Sequence, residues 1–350
     1  MTNIMIIVIP NQGVLSDNAF MSRILRICDP YIALMLTTVA IAALFPAHGF
    51  GAQVAGDVAD GGIILLFFLY GARLSPQAAV SGIAQWRLHV AVLASTFVVF
   101  PLLGVGVAAI APASLPRMLV TGIVFLCLMP STVQSSIAFT AIARGNVAAA
   151  LCAASGSNIL GVFISPMLAG WLLQTGGAAL NFNVFEDILL QLLAPFLAGQ
   201  LARPIIGNLI AKNKRWLGYV DRGSILMIIY TAFSKGVIAG IWHQIYLSDL
   251  VVLTIILSTL LTAALMITGF VGRRLMKMSI ENEIVLQFCG SKKSLASGLP
   301  MASVLFTGSA VSMIVLPLMI FHQIQLIVCA FLARRYSLRV EGDGEPGVQR

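Results

Sequence analysis

The chain reads as an all-α polytopic membrane protein: ten transmembrane helices arranged as two inverted five-helix repeats. Three observations predict this. Charged residues are scarce, apolar runs recur at membrane length, and basic residues crowd alternate loops. Of the 350 residues, 59% are hydrophobic and 10% charged. A soluble domain carries about 25% charged residues. So few charges cannot cover a water-facing surface, and lipid must face much of this one. The length accommodates roughly ten apolar segments of about 20 residues with short loops.

Apolar runs predict spans near 30–47, 58–74, 88–110, 117–143, 146–173, 184–204, 222–242, 250–272, 280–306 and 309–333. Segment 76–86 is short and mixed and reads as an interfacial helix. The polar tail from Arg339 to Arg350 reads as disordered. The run from Ile4 to Pro10 is too short for a signal core, and no small-residue cleavage site follows it, so no cleavable signal peptide is expected.

Charge fixes the orientation. With the N-terminus inside, 17 of the 21 basic residues fall at inner ends and loops, and one, Arg117, falls outside. The spans rest on hydropathy alone, so this positive-inside bias supports them independently. It predicts an inner (plasma) membrane location with both termini cytoplasmic. The net charge of +8 thus reflects topology, and no nucleic-acid partner is expected. The remaining basic residues, Lys235, Lys292 and Lys293, lie inside spans. A charge at mid-bilayer costs at least ~2.5 kcal/mol, so such residues face a cavity or mark a pathway.

Two stretches look alike. Met129-Pro130-Ser131-Thr132-Val133-Gln134-Ser135-Ser136 leads through an apolar run to Arg144-Gly145-Asn146. Cys289-Gly290-Ser291-Lys292-Lys293-Ser294 leads likewise to Thr307-Gly308-Ser309, about 160 residues later. Each puts a helix breaker and a cluster of hydroxyls in mid-span. Freed backbone groups cannot face lipid and must line a protein or water cavity. Five spans per copy force the second copy to be inverted. Paired interrupted helices in matching halves are the best sequence pointer to a transporter's binding site. Close packing of small residues would explain one such cluster; two matched clusters, one with adjacent lysines, favour a site.

The candidate substrate- or ion-binding residues are therefore Thr132, Gln134, Ser135, Ser136, Ser291, Lys292, Lys293 and Ser294. Asn158, following Ser155-Gly156-Ser157, is expected to line the core, and Lys235 to face a crevice unless it pairs with a carboxylate or snorkels. Glu281, Glu283 and Asp60 read as solvated end residues, and His89, His243 and His322 as isolated. The five cysteines (Cys28, Cys127, Cys152, Cys289, Cys329) form no CxxC pair and read as small buried hydrophobes, so neither a metal nor a cofactor is expected. No HExxH, GxSxG or Walker motif is present, which argues against an intramembrane enzyme and against direct drive by ATP. A non-transporting regulatory or sensory membrane protein is the alternative, weakened by the lack of a soluble domain.

From about residue 20 to 335 the chain resembles the bile acid:sodium symporter superfamily, most closely its SBF-like branch. The run from Gly290 to Ala302 and the turn Ala143-Arg144-Gly145-Asn146-Val147-Ala148, with Ser165-Pro166 further on, carry the resemblance. It implies a cytoplasmic segment 1–29, a panel domain (30–74 and 184–242; spans 1, 2, 6 and 7), a core domain (88–173 and 250–335; spans 3–5 and 8–10) and a cytoplasmic tail 336–350. Broken helices 4 and 9 would cross inside the core, and substrate would bind between panel and core as they move. An arsenite-exporter reading, which would need a thiolate such as Cys289, fits the surrounding motif less well.

The resemblance also raises the coupling ion. Characterised symporters bind sodium through a Ser-Asn pair in span 4, hydroxyls in span 5, and a Glu with following Gln in span 9. Here those positions read as Ser135-Ser136, Ala150 and Ala154, and Phe288, with Lys292 and Lys293 after it. A carboxylate is lost and ammonium groups are gained. The resemblance therefore implies a small-molecule substrate, an organic anion such as a sterol conjugate, with Na⁺ or H⁺ as the coupling ion. The substitutions suggest that a tethered lysine stands in for sodium, held by carbonyls of the broken helix and by Ser135 or Ser136, or that one lysine pairs with an anionic substrate.

Overall fold

The computed structural model describes residues 30–73, 85–173, 182–240, 245–306 and 308–339. The run Ile4–Pro10, Cys28, most of segment 76–86, His243 and the tail beyond Arg339 lie outside the described residues. All regular structure among the described residues is helical. We number the helices α1 (Pro30–Leu44), α2 (Gly49–Arg73), α3 (Trp86–Ile110), α4 (Arg117–Leu128), α5 (Val133–Ile142) and α6 (Val147–Leu172). The second half holds α7 (Phe182–Lys212), α8 (Lys214–Ile238), α9 (Leu247–Leu275), α10 (Ile280–Gly290), α11 (Leu295–Leu305) and α12 (Ala310–Ser337).

Five of these, α2, α3, α6, α9 and α12, are long and apolar enough to cross a membrane, and α4 with α5 makes a sixth if the bent pair is one span. That pair bends by 63°. The cause is local. Met129 is extended (φ −72°, ψ 149°), Pro130 has no N–H to continue the ladder, and Thr132 is extended again before α5 begins. The second interruption follows Gly290. The α11 helix then restarts with Ser294 as N-cap, its hydroxyl accepting from the Ser297 N–H. The turn into α6 puts Arg144 at φ 56°, and Asn146 caps α6 by accepting from the Ala149 N–H at 3.0 Å.

Helix ends depart from the apolar windows. Helix α2 starts at Gly49 rather than near 58, which moves Asp60 from a span end to mid-helix. Helix α7 runs on to Lys212, and α8 starts at Lys214. Hydropathy marks where lipid could begin, whereas backbone hydrogen bonding continues as long as no breaker intervenes. Pro195 and Pro204 sit inside α7 without ending it. Two π-helical turns, Ser95–Val99 in α3 and Val271–Leu275 at the end of α9, interrupt regular winding.

Helix α7 packs along α2, and α8 against α1 and α2. The α2–α7 contact rests on two glycines in matching tetrapeptides, Phe68-Leu69-Tyr70-Gly71 and Phe196-Leu197-Ala198-Gly199. A Cβ on Gly71 would lie 1.9 Å from the Phe196 carbonyl oxygen, and one on Gly199 would lie 1.9 Å from that of Phe68. Only glycine lets the two backbones approach so closely. Helix α12 packs against α4, α8, α9 and α11, with Phe321 fully buried against Phe100.

A crossing of two broken helices

The two interruptions meet. The Ser294 N–H donates to the Pro130 carbonyl at 2.8 Å, joining one break to the other. Thr132 Oγ1 donates to the Lys293 carbonyl at 2.9 Å, and Ser136 Oγ to that of Phe288 at 3.1 Å. Gln325 from α12 closes the loop with its amide. It accepts from the Lys293 N–H at 2.9 Å and donates to the Lys293 carbonyl at 3.0 Å. Asn158 in α6 bridges the breaks, donating to the Ser131 carbonyl and accepting from Ser297 Oγ at 2.9 Å. Ser291 donates to the Gln287 carbonyl, and Ser95 Oγ to that of Gly290 at 2.8 Å. Backbone groups released by the breaks are thus paired inside protein, as a low-dielectric setting demands.

Lys292 and Lys293 are both 0% exposed. Lys293 Nζ donates to three backbone carbonyls, of Thr96 (2.9 Å), Cys127 (2.8 Å) and Met129 (2.8 Å), and lies 4.2 Å from the centroid of the Phe100 ring. All three of its protons are used. Lys292 Nζ donates to Ser135 Oγ at 2.6 Å and lies 4.3 Å from the Phe139 ring centroid. It has donors to spare. Of the positions that the resemblance aligns with sodium ligands, Ser135 and Ser136 keep hydroxyls, which are engaged by Lys292 and by the Phe288 carbonyl, whereas Ala150, Ala154 and Phe288 are buried and apolar, with Phe288 tilted against Phe139.

A cavity of about 480 Å³ opens beside this crossing. Thr132, Gln134, Ser135 and His322 give it polar groups, and Tyr31, Met35, Phe139 and Leu326 give it apolar walls. Gln134 also lines a neighbouring cavity of about 840 Å³ that holds Arg73, Gln200, Arg203, Asn208 and Asp221. There Arg73 is tied to Asp221 in an ion pair, while Arg203 has no ion-pair partner among the described residues. The buried Oε1 of Gln200 accepts no hydrogen bond from the described residues.

Of the residues singled out from the sequence, Thr132, Ser135, Ser136, Asn158, Ser291, Lys292, Lys293 and Ser294 come together at the crossing, and Gln134 stands in the adjoining cavities. Lys235 does not join them. It lines a separate cavity of about 550 Å³ with Asp60, Thr231 and Ser303. Neither Lys235 nor Asp60 is in an ion pair among the described residues. Glu283 is a correction. It is not a solvated end residue but 2% exposed, paired with Arg273 at 2.8 Å and accepting from the Tyr336 hydroxyl at 3.0 Å. The apolar helix packs over it because its charge is matched. Glu281 is half exposed and pairs with Arg339.

Sequence reasoning missed Arg203, Gln200, Gln325 and His322. The first two sit near a helix end that looked solvated. The last two belong to a polar cluster, His322-Gln323-Ile324-Gln325, in the middle of a long apolar run, which was the signal available for them.

Apolar helices of membrane length, interrupted at a polar crossing beside open cavities, define a membrane transporter. Residues 29–338 match the SBF-like CPA transporter family, and the chain belongs to that family. It is a family of transporters, not of enzymes. The chain is 47% identical over 319 residues to a protein of Escherichia coli (strain K12) named "Putative symporter YfeH", covering 91% of this chain and 96% of that one. It is 51% identical over 321 residues to uncharacterized protein PA2026 of Pseudomonas aeruginosa, with the same coverage, 91% and 96%. It is 27% identical over 272 residues to sodium/bile acid cotransporter 7 of Danio rerio, covering 77% of this chain and 81% of that one.

Proposed function

We propose that this chain is a secondary active transporter of an amphipathic organic anion, of bile-acid or sterol-conjugate type, that works without sodium. The observation that carries the reading is the pair of ammonium groups buried at the crossing, one seated on three carbonyls and one on Ser135. Sodium needs oxygen ligands, preferably with negative charge nearby. Two lysine side chains occupy this region, and of the aligned ligand positions Ala150, Ala154 and Phe288 offer no oxygen, while the Ser135 hydroxyl is taken by Lys292. A tethered charge then does structurally what a bound ion does in relatives.

In this reading ten spans cross the inner membrane, both termini are cytoplasmic, and α4/α5 and α10/α11 count as one broken span each. A panel of α1, α2, α7 and α8 moves against a core of α3–α6 and α9–α12. The close packing of α2 with α7, and of α8 with α1 and α2, supports that grouping. The anion's apolar body lies against Tyr31, Met35, Phe139 and Leu326, and its charged end reaches Gln134 and Arg203, which has no ion-pair partner among the described residues. Lys292 sits one layer beneath, behind Ser135. If the cycle carries a proton, Lys292 is the ammonium placed to exchange it, because Lys293 is fully coordinated. The names of the bile-acid cotransporter relatives support an organic acid as substrate.

The test needs no knowledge of the substrate. Thermal unfolding of the purified chain is compared in sodium chloride and choline chloride at equal ionic strength. A ligand that binds only the folded state stabilises it by about 2.7 kcal/mol at a hundredfold excess over its Kd. The expected result is no sodium-specific shift. A clear rise in sodium would overturn the tethered-lysine reading and restore sodium symport.

A further inference from the structure

A fourth groove has no part in this cycle. It runs between α3, α9 and α10, with a volume of about 320 Å³, and its walls are almost wholly carbon. Trp86 and Arg87, the first two residues of α3, line it where α3 begins, and Ser95, Val99 and Thr268 line it further along. Ser95 lies eight positions after Arg87, about 12 Å at the 1.5 Å rise of a helix. Both helices flanking the opening are of membrane length. Trp and Arg at the end of such a helix mark the headgroup level of a bilayer. Arg87 is exposed and has no ion-pair partner among the described residues. The π turns of α3 and α9 place Ser95, Val99 and Val271 on the walls. Such turns recur at functional sites.

From these observations we infer that the groove holds an acyl chain of an anionic phospholipid, with its phosphate on Arg87. The chain descends from headgroup level into a carbon-lined slot, and Arg87, the one charged residue among the described residues that line the groove, selects a negative headgroup. The deep end is also the back of the crossing. Ser95 Oγ holds the Gly290 carbonyl, and the Thr268 methyl would lie 3.2 Å from a Cβ at Gly290. A filled groove therefore braces the joint where α10 breaks, and occupancy raises stability.

The full chain in detergent is titrated with dioleoyl-phosphatidylglycerol or dioleoyl-phosphatidylcholine while its unfolding temperature is followed, and native mass spectrometry counts retained lipids. The expected result is a rise of several degrees with phosphatidylglycerol that exceeds the rise with phosphatidylcholine, and one retained lipid. Arg87→Glu should abolish the preference for phosphatidylglycerol; the side chain is exposed, so folding is unaffected. Ala91→Phe, which fills the slot, should abolish the retained lipid and the shift with either lipid. The assignment is overturned if the two lipids act alike on the wild-type chain, if Arg87→Glu responds as wild type does, or if the mass is that of a lipid-free dimer, which would seat a second copy on the groove.

Discussion

Lys292 and Lys293 are neighbours in sequence and opposites in physics. Lys293 satisfies three carbonyls from two elements, so replacing it by methionine leaves those acceptors buried and unpaired. Each unsatisfied group costs about 1–3 kcal/mol, and Lys293→Met is expected to lose several kcal/mol of stability or to fail to fold. Lys292→Met breaks a single bond, to a serine that lines a cavity and can be hydrated. Its loss in a thermal melt is expected to be clearly smaller, with transport affected first. Equal losses would show that the two lysines share one structural role. Arg203→Gln should leave the melting temperature unchanged and weaken anion uptake by about tenfold or more, the size of a lost charge-assisted hydrogen bond. The lysines were legible because a charge in an apolar run is conspicuous. Their partners were not, because the carbonyls of Thr96, Cys127 and Met129 belong to every residue type alike. Glu283 failed for a related reason: Arg273, ten positions away, gives no sign in sequence that it folds back on it.

At the scale of elements, both breaks were legible. Proline and glycine act on their own backbone, so Pro130 and Gly290 announce themselves without tertiary context. The ends of α2, α7 and α8 were not legible from hydropathy, since a helix continues past its apolar window wherever its polar residues face a cavity or water. Asp60 is the case in point, standing mid-helix on the Lys235 cavity. The π turns left no sequence mark at all. The contact of α2 with α7 did leave one, in the twin Phe-Leu-x-Gly tetrapeptides. Gly71→Leu or Gly199→Leu drives a side chain into the facing backbone, and a loss of about 1–3 kcal/mol or more is expected from overpacking. Gly51→Ala in the same helix meets nothing within 4 Å and should be neutral or slightly stabilising. A melt in which all three behave alike would show that α2 and α7 do not depend on close approach.

For the whole molecule, composition and charge pattern were enough to read an all-helical membrane chain, because both follow from the solvent rather than from any particular contact. The gathering of Thr132, Ser135, Asn158 and the lysines at one point depends on how distant segments cross, and the matched breaks were the only hint of it. The seat of Lys293 has a consequence for the energetics of the proposed cycle. Sodium carried by a symporter enters on one side and leaves on the other, so the empty carrier returns without it. A lysine cannot leave. Whatever distance the crossing travels through the membrane's electric field, these charges travel with it, loaded or empty. Each is worth up to about 2.3 kcal/mol per 100 mV across the full membrane. The reconstituted protein should therefore show a voltage-driven displacement current with neither sodium nor substrate present. That current should shrink in Lys292→Gln if this ammonium stays charged, and its complete absence in the wild type would mean that the crossing does not move through the field.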